Sequence, residues 1–389
     1  MKKIITGVKP TGSSMHLGNL LGAVLPFQKL AKGNDAAIFI ADLHALTSVK
    51  DGAKMRDQSY ELAVEYLSIF GLDTELTIFR QSDIHDITKL MWVMSNVTPY
   101  SLMERAHSHK DYLNKLHFYE DTIMPFLFEG LKREVNGISD IDTMHAIMRY
   151  FRTQSLDEAF KNFNINTEKL EEIIAMKLPQ TPNMGVFNYP ILMAADIIGY
   201  DIDAVPVGKD QIQHLEMTRD IARAFNKTYG QEVFREPEAI VTEGLATLPG
   251  TDGRKMSKSY DNFIGVFDDD KTLKKRVMSI VTGSEGVDEK KKNPDECNVF
   301  NLYKVFASAE QTAALRVKYE SENIGFGYGH AKTELLNVLT EYLRPYREAR
   351  EKLLANPDIV EAKLAEGARI MNERLRSKMK VVKEVTGVN

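Results

Sequence analysis

The sequence predicts an α/β fold: a parallel β-sheet wound with helices, interrupted by a helical insertion and followed by an all-helical C-terminal domain. Three observations point there. Up to about residue 270, short apolar β-like runs alternate with helix-length segments at the spacing of βαβ units. Residues 119–181 form a mostly helical block with its own punctuation. From about Lys271 onward strand-like runs nearly vanish and amphipathic helices take over. The expected division is therefore a catalytic domain over 1–270, the insertion at 119–181 within it, and a helical domain over 271–389.

The elements follow in order. Residues 2–8 are β-like, Lys9-Pro10-Thr11-Gly12 is a turn, and a helical pattern begins near Leu17. A second strand, 36–40, leads into Asp42-Leu43-His44, and a helix over 54–70 feeds a third strand, 76–79. In the insertion, Ser155 and Glu158 have capping-box spacing, Leu170, Ile173 and Ile174 make one apolar helix face, and Pro179 and Pro182 close the block. Then come a helix over 193–198, a strand at Ala204–Val207 and a helix over 213–226. Helices over 331–343 and 359–380 mark the C-terminal part. The alternation is that of a Rossmann-like sheet.

Composition narrows the class without naming a function. The chain has 389 residues, 43% hydrophobic and 27% charged, as in ordinary globular proteins with room for two or three domains. One cysteine, Cys297, excludes an internal disulfide framework, a four-cysteine zinc site or an iron–sulfur cluster, and it reads as a bystander. It fits a reducing cytoplasm. The apolar run after the N-terminal lysines is too short for a secretory signal, and no run approaches the roughly 20 apolar residues of a membrane span. Net charge is −5, so any RNA contact must come from local basic surface, such as a helical face near Arg369, Arg374 and Arg376.

Two motifs carry chemistry. Pro10-Thr11-Gly12-Ser-Ser-Met15-His16-Leu17-Gly18-Asn19 lies between the first strand and the first helix. Backbone N–H groups at such a helix start point outward toward an anion. Gly18 would permit close approach of a nucleotide, and His16 and Asn19 can donate to phosphate or ribose oxygens. The second is Lys255-Met256-Ser257-Lys258-Ser259, after a turn bearing Gly250 and Gly253. Two lysines on a mobile loop can neutralise charge moving onto departing pyrophosphate, with no covalent residue required. Alone, the first motif also reads as a helix start with a surface histidine and the second as a solvated basic loop.

Together, in that order and at those places, the motifs resemble the class I aminoacyl-tRNA synthetases. The segments from Tyr189 to Ile197 and from Val205 to Glu216 look like the tryptophan branch, and the similarity extends to Arg105-Ala-His-x-x-Lys110, Thr247-Leu-Pro-Gly and Gly325-Phe-Gly-Tyr-Gly. The resemblance implies activation of L-tryptophan by ATP, with Mg²⁺ on the phosphates and no protein metal site, followed by transfer to tRNA(Trp) by a homodimer. It implies that Lys9, Pro10, Thr11, Gly18 and Asn19 hold the phosphate and adenosine side. Gly208, Lys209 and Asp210 would form the ribose turn, and Thr247 and Leu248 the backbone that reads adenine. Lys110, Lys255 and Lys258, with Met256, Ser257 and Ser259 of the same loop, would surround the triphosphate beside His16. Asp196 would accept the indole N–H, Met193 pack on the ring, Tyr189 and Gln211 hold the α-amino group, and His44 lie near. A carboxylate facing an apolar slot is costly until a donor arrives, so the ligand is expected to supply a missing partner.

The resemblance has departures. Lys9 stands where many relatives carry Gln, Lys209 where many carry an acid, and the nucleotide turn is one residue longer between Gly12 and His16. The insertion is about sixty residues more than relatives need, far above ordinary loop lengths. It would pack on dimer-side helices or reach toward the tRNA acceptor end, or else be a lineage-specific decoration. Trp92, flanked by Leu90, Met91, Val93 and Met94, is expected in a buried helix near the interface. His107 and His109 could touch phosphate or RNA, or simply lie in an exposed loop. Rival readings are a tyrosine-specific ligase, a synthetase-like protein that binds RNA without charging it, and a small-molecule nucleotidylyltransferase.

Overall fold

The structure, a computed structural model, describes residues 1–10, 12, 14–106, 110, 114, 183–208, 211–241, 248–287, 289, 293–321 and 325–388. Five strands form one parallel sheet: β1 (Lys3–Val8), β2 (Asp35–Ile40), β3 (Thr77–Arg80), β4 (Ala204–Val207) and β5 (Glu238–Val241), in the order β3-β2-β1-β4-β5. β2 is buried continuously from Ala36 to Ile40, the pattern of an interior strand covered on both faces. Among the described residues the expected strands and helices are found, though the helices expected at 193–198 and 331–343 are parts of longer ones, Met184–Ile198 and Tyr328–Leu354. β5 was missed, because its four residues are half exposed and too short to alternate.

The order places a topological switch between β1 and β4. The chain leaves β1 toward β2 and β3 on one side and resumes at β4 and β5 on the other, and a crevice at the carboxyl ends of such strands takes ligands. The registered pair, Ile4 with Ala204, lies at the strand starts, and Lys3 and Asp203 exchange two further bonds there.

Residues 1–97 and 191–389 cluster as one compact unit and 98–190 as another. The division expected at 270 is thus no division in packing. Helix Tyr328–Leu354 buries Leu335, Leu339 and Leu343 and packs on helix Gly52–Phe70. Helix Pro357–Thr386 lies on β3, where Gly367 is required: a Cβ there would sit 2.0 Å from the Ile78 carbonyl oxygen. Each leucine so buried stabilises by about 1.5–3 kcal/mol, which is why the C-terminal helices join the sheet rather than stand apart. The same helix binds the sheet through Arg374 to Asp35 at 2.9 Å, while Arg369 pairs with Glu373 at 2.9 Å. Part of the expected RNA-facing arginine set is therefore engaged within the fold.

In the second unit, a short helix Tyr100–Glu104 buries Leu102 and Met103, Tyr100 rests on Phe187 with ring centroids 5.5 Å apart, and Lys110 is exposed. The insertion at 119–181, with Ser155, Glu158, Leu170, Ile173, Ile174, Pro179 and Pro182, lies outside the described residues, as do His107 and His109. Trp92 is 71% exposed in the single chain, so its own fold does not bury it. Helix Ile87–Ser95 turns Ile87, Leu90 and Met94 inward at helical spacing, which leaves position 92 on the opposite face.

Candidate active site

The nucleotide turn leaves the end of β1 and is clamped at both ends. Met15 accepts from Val266 N–H at 2.8 Å, and Leu17 N–H donates to the Ile264 carbonyl at 3.0 Å. His16 then caps the helix start. Its Nδ1 accepts from Asn19 N–H at 3.2 Å, while Asn19 Oδ1 accepts from His16 N–H at 3.3 Å. With Nδ1 an acceptor, the neutral ring carries its proton on Nε2. Burial, with the charge of Lys258 adding to it, pushes the His16 pKa down to about 4. The ring is therefore a neutral donor at physiological pH. Gly18 serves this ring: a Cβ there would lie 2.9 Å from His16 Cε1, so the glycine makes room for histidine before it makes room for any nucleotide.

A cavity of about 500 Å³ opens at this turn, lined among others by Lys9, Pro10, Asn19, Glu65, Lys258 and Arg350. Lys258 is half-buried, and burial lowers its pKa against the opposing pull of Glu65. Lys255 is exposed. The loop that carries them, expected to be mobile, is tied to Asn262, which is 2% exposed. Asn262 Oδ1 accepts from Ser257 N–H at 2.7 Å, and its Nδ2 donates to Asp252 at 2.7 Å and to the Lys255 carbonyl at 3.1 Å. Met256 is buried and donates from N–H to the Leu248 carbonyl at 2.9 Å; Ser257 Oγ accepts from Ser259 N–H at 3.2 Å.

The second cluster surrounds Asp196, which is 2% exposed. It sits on helix Met184–Ile198, with Met193, half-buried, one turn earlier on the same face. His44 follows β2 and Gln81 follows β3. Asp42 ties these two turns together, accepting from Leu43 N–H at 2.9 Å and Ser82 N–H at 3.0 Å, and bonding the Ser82 hydroxyl as well. His44 Nε2 donates to Asp196 Oδ2 at 3.0 Å and Gln81 Nε2 to the same oxygen at 2.6 Å. Burial pushes the Asp196 carboxyl up, and the bonds from His44 and Gln81 pull it back. The expectation that this carboxylate lacks a partner until a ligand arrives is corrected. A buried carboxylate without donors costs several kcal/mol, so the fold supplies two donors to Oδ2; neither bond uses Oδ1.

The two clusters are joined. Lys9 Nζ donates to Thr47 Oγ1 at 2.9 Å, and Thr47 Oγ1 donates to the His44 carbonyl at 2.8 Å. Lys9 is thus anchored on the turn just after helix Asp42–Ala45, which bears His44, and burial lowers its pKa. Gln211 is half-buried at the start of helix Ile212–Tyr229 and donates from N–H to the exposed Gly208 carbonyl at 2.9 Å. Tyr189 and Lys110 belong to the unit 98–190. Thr11, Lys209, Asp210 and Thr247 lie outside the described residues. Gln81, Glu65 and Asn262 escaped the sequence reading, although Glu65 in the apolar stretch Ala63-Val64-Glu65-Tyr66-Leu67 is an anomaly that could have flagged it.

Comparison with known proteins fits this geometry. The family model described as tRNA synthetases class I (W and Y) matches residues 1–132 and 158–344. The tryptophan–tRNA ligase of Fusobacterium nucleatum is 39% identical over 389 residues, covering 100% of this chain and 98% of its own. That of Campylobacter jejuni is 34% identical, covering 99% of this chain and 100% of its own. A crystal structure of Campylobacter jejuni tryptophanyl-tRNA synthetase complexed with ADP and tryptophan superposes with a TM-score of 0.78 at 33% identity, covering 99% of each chain. Nearly all of both chains aligns with these relatives, block 119–181 included, whereas the family model leaves residues 133–157 within that block unmatched.

Proposed function

This chain belongs to the class I tRNA synthetases of the tryptophan and tyrosine group, and from that premise we propose that it is a tryptophan–tRNA ligase. It activates L-tryptophan with ATP to tryptophanyl-adenylate and transfers the aminoacyl group to tRNA(Trp). The observation that carries the reading is the link from Asp196 through His44 and Thr47 to Lys9, which ties a buried carboxylate to the nucleotide cavity. Relatives named for this activity across the whole chain, one of them solved with ADP and tryptophan, support the same substrates.

In this reading Asp196 offers Oδ1 to the indole N–H while His44 and Gln81 hold Oδ2. Met193 packs on the ring, and Gln211 holds the α-amino group. ATP enters beside His16, Gly18 and Asn19, with Lys9, Pro10 and Thr11 on the same turn. Gly208, Lys209 and Asp210 take the ribose, and Thr247 and Leu248 the adenine. The tryptophan carboxylate attacks the α-phosphorus, its oxygen forming the new bond as the bond to pyrophosphate breaks. Lys258 and Lys255, with the loop residues Met256, Ser257 and Ser259, face the charge that builds on the leaving group. Preorganised donors in a water-poor site act without a general base. Mg²⁺, bound through the triphosphate oxygens and needing no ligand from the chain, would neutralise part of that charge. In the second step a ribose hydroxyl of the tRNA terminus attacks the adenylate carbonyl, and AMP departs with the bonding pair.

The chain works as a homodimer in the cytoplasm, with the exposed Trp92 face of helix Ile87–Ser95 covered by a second copy. Among the described residues no helix is long and apolar enough to cross a membrane. The test is ATP–pyrophosphate exchange with each standard amino acid. Exchange driven by tryptophan alone is expected; exchange driven by tyrosine, or by none, rejects the assignment. Sedimentation of Trp92→Glu tests the dimer: a parent that already sediments as a monomer removes it.

A further inference from the structure

Glu65 is a carboxylate on the inner face of helix Gly52–Phe70, 4% exposed between the buried Val64 and Tyr66. A charge there must be compensated by strong hydrogen bonds. Its Oε1 accepts from Ser14 Oγ at 2.7 Å, and both oxygens accept from Met15 N–H at 3.2 Å. Met15 is therefore gripped from both sides, by Glu65 at its N–H and by Val266 N–H at its carbonyl. The next residue is His16, whose cap on Asn19 sets the nucleotide turn. Glu65 also lines the same cavity as Lys9, Asn19, Lys258 and Arg350.

We propose that Glu65 is the positioning residue of the nucleotide turn: it holds Ser14 and Met15 so that His16 and Asn19 meet ATP where Lys258 enters the cavity. The inference rests on the reading that this cavity takes ATP. Two features tie the residue to nucleotide rather than to general stability. Its partners are turn atoms rather than helix or sheet, and its field reaches Lys258, which draws the carboxyl down while burial, the larger effect, raises it. Arg350, from the C-terminal helices, acts on Glu65 in the same direction and is itself paired with Glu61 on the same helix.

The experiment uses the full-length enzyme in tryptophan-driven ATP–pyrophosphate exchange, with KM measured separately for ATP and tryptophan. Losing the grip on Met15 should raise KM for ATP about tenfold in Glu65→Ala while leaving KM for tryptophan within about twofold. Glu65→Gln keeps an oxygen acceptor of the same reach and should return KM for ATP to within about threefold of the parent. If Glu65→Ala does not fold, Glu65→Asp, one methylene too short to reach both partners, takes its place with the same expectation. An unchanged KM for ATP overturns the proposal. So does a parallel rise in both KM values with a lower Tm, which is the mark of general support. Failure of Glu65→Gln to recover also overturns it. Absence of exchange in the parent would reject the functional reading itself, whereas exchange indifferent to Glu65 rejects this inference alone.

Discussion

Gln81 Nε2 lies 2.6 Å from Asp196 Oδ2, so the carboxylate at the heart of the proposed amino-acid pocket is held by the turn that follows β3. Gln81 is fully buried and receives the His44 N–H on its own Oε1 at 3.4 Å. The carboxylate is thus presented in a set orientation before any ligand arrives.

Removing that donor should be felt by tryptophan and not by ATP. Hydrogen bonds to charged groups contribute about 1.5–3 kcal/mol, so Gln81→Ala should raise KM for tryptophan about tenfold or more. Asp196→Ala should cripple activation and discrimination altogether. Exchange kinetics with tryptophan varied at saturating ATP give the answer; full discrimination in Asp196→Ala would refute the assignment of the indole partner.

Lys258→Ala removes a half-buried cation from the cavity without touching the core. The expected result is a fall in the exchange rate of about 10²–10³, the typical cost of one preorganised charge-stabilising group, with an unaltered far-UV CD spectrum. A loss of folded signal would mean that the lysine is structural.

Asn262→Ala strips the lysine-bearing loop of its internal scaffold, leaving Ser257 N–H and the Lys255 carbonyl without their bonds. Each buried polar group left unsatisfied costs about 1–3 kcal/mol, so denaturant midpoints should drop and KM for ATP should rise. A variant with parental stability and parental KM would show that the loop holds itself.

His16 gives a signed pH dependence. Its pKa is about 4 in the folded chain against 6.5 ordinarily, so between those values the unfolded chain binds more protons. Stability is therefore lost as pH falls from about 6.5 toward 4. Thermal unfolding of the parent should show this slope, and His16→Gln should flatten it. Because the ring stays neutral above pH 5, no histidine-like step near 6.5 in the exchange rate should disappear on that substitution.

The strand–helix alternation up to residue 270, the helices beyond it, and the two motifs at residues 10–19 and 255–259 were legible because each is a local pattern: hydrophobic period, turn residues, spacing. His16, Asn19 and Lys258 were named from those patterns and Lys9 from the family resemblance, and the fold sets Lys9, Asn19 and Lys258 on one cavity while His16 caps the turn beside it. The exposure of Trp92 within the single chain was not legible for the same reason, since apolar neighbours are visible in sequence but the direction of a helix face is not.

By itself, then, the sequence determined which side chains carry charge, where most strands and helices fall but not β5, and which turns bear the nucleotide motifs. Only the tertiary structure decided who answers the buried carboxylates. Gln81 and His44 meet Asp196 because parallel order sets the turns after β2 and β3 side by side, and Glu65 meets Met15 because helix Gly52–Phe70 packs beneath the nucleotide turn. Such pairings join residues far apart in the chain, and a buried charge can be tolerated only where the fold delivers its donors.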